Sequence, residues 1–127
     1  TGKMAWYFQT SPHDTHDYDS AQTPVLVDGM FNGRMRKLVL TAARNRYYFT
    51  LDRVTGERLV TSKYGSATNW AGGLNKFGAP QRDPAKDPTA PGSLVSPTAD
   101  GPNYWRQTAY STAPRLVYVP DQKRTSR

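Results

Sequence analysis

Short apolar runs recur along the chain at Trp6-Tyr7-Phe8, Val25-Leu26-Val27, Leu38-Val39-Leu40, Tyr47-Tyr48-Phe49, Leu59-Val60 and Leu116-Val117-Tyr118-Val119. Aromatic and β-branched residues fill them, which favours strands on a pleated, half-buried surface. The first strand is placed over residues 5–9 and the next over 23–27, running into an Asp28-Gly29 turn signal. Strands over 36–41 and 46–52 follow, and Asp52-Arg53-Val54-Thr55-Gly56 reads as a hairpin turn into 59–61. Strands in this order make one four-stranded unit, a blade of the propeller type.

A modest repeat supports that spacing. Thr1-Gly2-Lys3-Met4-Ala5-Trp6 recurs in outline as Thr55-Gly56-Glu57-Arg58-Leu59-Val60, each a Thr-Gly turn followed by a short strand. The second unit is looser. Asn69-Trp70-Ala71-Gly72-Gly73-Leu74 starts a strand, but residues 77–102 form a long excursion through Pro80, Pro84, Pro88, Pro91, Pro97 and Pro102. Order returns over 104–111 and 115–119, which alternate as a hairpin. The expected organisation is a blade over 1–65, a partial following blade over 66–120 and a basic tail over 121–127. Two blades cannot close a ring, so the chain reads as a fragment whose remaining propeller blades lie outside it.

Composition agrees with an all-β architecture. Ten glycines and ten prolines in 127 residues imply many short elements joined by turns, and argue against a helix bundle. Only 36% of residues are hydrophobic and the mean hydropathy is −0.76, a thin supply for a private core. A net charge of +7 raises nucleic acid as a partner, yet Lys and Arg are scattered singly except in Gln122-Lys123-Arg124-Thr125-Ser126-Arg127. A terminal charge run reads as a solvated tail, so no nucleic-acid partner is expected. With no cysteine, the chain offers no disulfide, no thiolate metal site and no Cys-Cys-His haem attachment motif. No apolar run approaches the roughly 20 residues that span a bilayer.

One window reads as chemistry. His13-Asp14-Thr15-His16-Asp17-Tyr18-Asp19 packs three carboxylates and two imidazoles together. In an extended strand Asp17 and Asp19 point to the same face, and their repulsion calls for a metal ion, a nearby cation or full solvation. Plainer roles stand beside this one: Asp14 and Asp28 as turn or cap residues, His13 and His16 as hydrogen-bonded structural histidines, and Trp6, Trp70 and Trp105 as packing aromatics.

The run from Trp6 through Pro12-His13-Asp14-Thr15-His16-Asp17-Tyr18-Asp19, followed by Ala43-Arg44-Asn45 and Tyr48-Phe49-Thr50-Leu51-Asp52-Arg53-Val54-Thr55-Gly56, closely resembles the pyrroloquinoline-quinone-dependent alcohol dehydrogenases. The likeness continues through Pro80-Gln81-Arg82-Asp83-Pro84, Gly92-Ser93-Leu94-Val95-Ser96-Pro97 and Leu116-Val117-Tyr118-Val119. It implies part of an eight-bladed β-propeller that oxidises primary alcohols to aldehydes with pyrroloquinoline quinone and a metal ion. On it Asp17 is the catalytic base and a metal ligand, Arg44 donates hydrogen bonds to the quinone, and Asn103 lies near a cofactor-contacting Asn of the next blade. An Asp at the position of Asp19 marks the lanthanide-type members, so a lanthanide is expected in preference to Ca2+. Arg46 departs from the Gly that follows Arg-Asn in such enzymes, which strains the backbone if that position has a positive φ. The resemblance also implies a periplasmic location, a cytochrome c-type electron acceptor and scope for a homodimer. Two other classes remain: a metal-dependent hydrolase built on the His/Asp cluster, and a non-catalytic propeller binding module.

Overall fold

The structure, a computed structural model, describes residues 2–65 and 67–125. It contains no α-helix among the described residues. Eight strands make one four-stranded sheet and two two-stranded ones. Strands β1 (Val25–Phe31), β2 (Arg34–Ala42), β3 (Tyr47–Asp52) and β4 (Arg58–Lys63) pair antiparallel in chain order, as a blade requires. Strands β5 (Ala71–Leu74) and β6 (Pro80–Arg82) form a second pair, and β7 (Ala109–Ser111) with β8 (Leu116–Tyr118) a third. A 3-10 turn over Pro84–Lys86 is capped by the Asp83 carboxylate, which accepts from Ala85 N.

Four expectations about the strands and turns are corrected. Residues 5–9 do not enter the sheet; the blade's first strand is β1, which runs straight through Asp28-Gly29. Asp28 lies opposite Lys37 and its carboxylate meets Arg53 at 2.8 Å, so cross-strand charge pairing holds the strand extended where a turn was expected. The hairpin turns instead at Asn32-Gly33, both with positive φ (48° and 76°), the conformation of a two-residue type I′ turn. Strand β6 likewise interrupts the Pro-rich excursion, and residues 101–105 form a turn, so the order expected from 104 begins only at β7.

Residues 5–9 contribute side chains in place of ladder bonds. The Trp6 indole donates to Arg53 O at 3.0 Å and lies on Gly56, where a Cβ would come within 2.7 Å of the ring. Gly56, at φ 77°, therefore meets two demands at once, a left-handed turn and contact with an indole. Phe8 meets Phe49 edge-on at 5.3 Å. Register places Val39 opposite Leu51 and Thr41 opposite Phe49, so Val39, Phe49 and Leu51 share one face of the blade. That face packs against Tyr18, Trp70 and Val95, which belong to the 13–19 loop, the bend just before β5 and the Pro-rich segment. Trp70 is buried, edge-on to Tyr47 at 6.0 Å and tilted against Tyr18 at 5.3 Å, with its Nε1 donating to Asn45 O. Each aromatic pair adds about 0.5–1.5 kcal/mol beyond area burial, so this cluster is what joins the second unit to the blade. Trp105, expected to pack, is largely exposed.

The basic tail, expected to be solvated, is partly anchored. Arg46, fully buried at φ 67°, pairs with Asp121 at 3.0 Å and donates from Nη2 to Gln122 O at 2.7 Å. Gln122 N donates to Pro102 O, and Ser96 Oγ to Arg124 O. Residues 126 and 127 of the tail lie outside the described residues.

Candidate functional site

The 13–19 segment is a loop folded around Asp14. Its carboxylate accepts from His16 N at 2.8 Å and Tyr18 N at 2.6 Å, the turn role expected of it. Tyr18 is thereby driven into the core, where its hydroxyl donates to Pro97 O at 2.7 Å; burial is the main cause pushing its pKa above the usual range. Between these anchors His13 and Asp17 adopt left-handed backbone conformations, φ 50° and 62°. The extended geometry that would aim Asp17 and Asp19 to one face is therefore not adopted. Asp17 lines a cavity of about 650 Å3 with Thr15, His16, Lys86, Ser93 and Val95. Asp19 lines a smaller one of about 320 Å3 with Gln9, Ser11 and Ser20. Among the described residues, no group of three or more His, Cys, Asp or Glu side chains is placed to hold a metal ion.

The cavity beside Asp17 has a wall from the second unit. Asp87 accepts from Thr15 Oγ1 at 2.9 Å and pairs with Arg82, while its carbonyl accepts from Ser93 Oγ. These bonds bind the Pro-rich segment to the acidic loop. His16 stands at the same wall, 5.3 Å from the Tyr18 ring, with Nε2 buried and unpartnered. Burial lowers its pKa, with Arg82 acting the same way and Asp14 opposing.

Arg44 reaches the acidic loop from the turn between β2 and β3. Its Nη1 donates to Asp17 O at 3.3 Å, and its Nε is buried without a partner. The Tyr104 ring lies 5.3 Å from the guanidinium carbon, and Gly101, at φ 70°, presses on the Arg44 stem with no room for a Cβ. Next to Arg44, Asn45 is fully buried and donates to Thr10 O at 2.8 Å and Ser11 Oγ at 2.9 Å, while its Oδ1 accepts from Tyr47 N. The Arg-Asn pair thus divides labour: Asn45 fastens the loop to the blade, and Arg44 faces Asp17. Asn103 is fully buried, and its Nδ2 donates to Ala42 O at 2.7 Å.

Asp17 and Arg44 are therefore brought together, Asp19 opens to a neighbouring depression, and Asn103 braces the β2 end. The parts played by Asn45, Arg46 and Tyr104 were not predicted. The adjacent Arg44-Asn45-Arg46 run was the available signal for the first two, whereas the partners of all three are distant in sequence.

Residues 1–66 match the family described as glucose/ethanol/alcohol dehydrogenase, beta-propeller domain, dependent on pyrroloquinoline quinone. The quinohemoprotein alcohol dehydrogenase of Comamonas testosteroni is 36% identical over 123 residues, covering 96% of this chain and 17% of that protein. The lanthanide-dependent methanol dehydrogenase of Methylorubrum extorquens is 33% identical, covering 94% of this chain and 22% of that protein. The solved structure of quinohemoprotein alcohol dehydrogenase ADHIIG from Pseudomonas putida HK5 superposes with a TM-score of 0.89 at 30% identity, covering 98% of this chain and 19% of that one. The chain thus spans about a fifth of the length of the relatives it matches. With the blade and the Asp17–Arg44 approach in place beside these matches, the chain belongs to the pyrroloquinoline-quinone-dependent alcohol dehydrogenase family.

Proposed function

We propose that this chain supplies one blade and part of a neighbouring one to a quinoprotein that oxidises primary alcohols to aldehydes, with further blades completing the ring. The observation that carries it is Arg44 held against the Asp17 loop with its Nε lacking an acceptor. That donor fits a quinone, whose carbonyl oxygens supply acceptors. A quinone held beside Arg44 would supply the two-electron acceptor for hydride from the carbinol carbon. Asp17 takes the hydroxyl proton of the alcohol, and its place on the cavity wall gives a small alcohol access to it. Arg44, permanently charged and planar, stabilises negative charge on the cofactor oxygens.

For the metal we propose a lanthanide, with Asp17 and Asp19 among its ligands. Support comes from the paired carboxylates and from the likeness to a lanthanide-dependent methanol dehydrogenase. A trivalent oxygen-seeking ion would gain from the second carboxylate.

The test uses the complete protein reconstituted with quinone and either Ca2+ or a light lanthanide, with dye-linked alcohol oxidation as readout. Asp17→Asn is expected to lower kcat by about 100-fold or more while cofactor still binds. Full activity in that variant sinks the base assignment. Asp19→Ala is expected to abolish lanthanide preference, and a preference that survives it sinks the metal assignment.

A further inference from the structure

Asn103 and Tyr104 are neighbours in the chain and opposites in setting. Asn103 is fully buried, with Nδ2 donating to Ala42 O and Oδ1 without a partner. Tyr104 is 42% exposed, and its ring stacks on the Arg44 guanidinium. Its backbone is left-handed, φ 45°, an uncommon conformation for a bulky side chain that must be held by its surroundings. The hold is visible: Gln22, itself buried, donates from Nε2 to Tyr104 O, and Arg106 N closes the turn onto Asn103 O. Gly101 of the same turn backs the Arg44 stem. Arg44 is thus gripped at both ends by residues 101–104, with Gly101 on its aliphatic part and Tyr104 over its charged head.

We propose that Tyr104 is a positioning residue that sets the Arg44 guanidinium for the quinone. This rests on the quinone reading above. An aromatic face fixes the plane of a guanidinium while leaving its N–H edge free to donate, which a hydrogen-bonding neighbour would not. The contact also replaces solvent on one side of the cation, so fewer waters compete for the donors.

The experiment measures quinone affinity of the metal-loaded complete protein, with melting temperature and alcohol kinetics alongside. Tyr104→Leu is expected to weaken quinone binding about tenfold. It is expected to leave the KM for alcohol unchanged, and Tyr104→Phe, which keeps the ring, is expected to restore affinity to within about threefold. In an Arg44→Lys background Tyr104→Leu should add no further loss, because its effect passes through the arginine. Unchanged affinity in Tyr104→Leu overturns the proposal, as does a full additional loss in the Arg44→Lys background. Should the wild-type protein bind no quinone, the underlying reading fails and this one with it, an outcome distinct from the other two.

Discussion

Asp52 shows how much one residue of the blade carries. Its Oδ1 accepts from Val54 N at 2.9 Å and Thr55 N at 3.2 Å, and its Oδ2 accepts from Arg36 at 3.0 Å. Its backbone also holds the turn, accepting from Gly56 N and donating to Glu57 O. The Val54 N–H is the largest cause holding its carboxyl below the ordinary 3.8, with the Thr55 N–H and Arg36 adding to it against partial desolvation. A carboxylate with a depressed folded pKa contributes stability that is fully present above the unfolded value and lost as pH falls through the folded one. The blade should therefore loosen below about pH 4, and Asp52→Asn should flatten that loss. Thermal melting of both proteins at pH 6 and pH 3 checks it; an equal drop in the two would remove Asp52 from the account. This turn was legible in the sequence because the bonds that close it, to Val54, Thr55, Gly56 and Glu57, run between residues a few positions apart. The Arg44–Tyr104 contact was not, because 60 positions separate the partners and neither residue type announces the other.

At the scale of elements, local signals located β2, β3, β4 and the β7–β8 hairpin to within a few residues. They failed for residues 5–9, whose aromatic composition suits a strand but whose side chains pack on Gly56 and Phe49 from outside the ladder. They failed again at Asp28-Gly29, a turn dipeptide overruled by cross-strand pairing, while Asn32-Gly33 made the turn. Arg46 links elements that local pattern could not connect. The expectation that a non-Gly residue would be strained there if φ were positive is met, with φ at 67°. Its offsetting gain is the pair with Asp121 and the bond to Gln122 O, which tie the last described segment to the start of β3. Breaking a buried pair costs about 3–5 kcal/mol, and the 33% exposure of the Asp121 side chain places this one below that range. Asp121→Ala, which leaves a buried cation unpaired, should destabilise more than Arg46→Met, which removes the charge. Denaturant midpoints of the two variants decide it, and the reverse order would show the pair to be energetically idle.

For the molecule as a whole, β1 and β4 form the outer strands of the blade, and Leu26, Met30 and Met35 are exposed along β1 and β2. Leu116 and Tyr118 of β8 are exposed as well. Repeat architectures bury such surfaces against neighbouring units, so the 127-residue chain in isolation is expected to self-associate at micromolar concentration. Sedimentation analysis checks this, and a monodisperse monomer would show that the two units satisfy each other. Strands β2, β3 and β4, the Thr-Gly turn after β3 and the motif carrying Asp17 and Arg44 were legible in the sequence alone, because alternation and turn chemistry act between near neighbours and a motif keeps its residue order in print. Only the tertiary structure decided that Tyr104 lies over Arg44, that Asn103 bonds to Ala42 O, and that Asp17 and Asp19 open to different depressions. Those facts depend on left-handed backbone at Asp17 and Tyr104 and on packing between segments far apart in the chain, where burial and register outweigh any local preference.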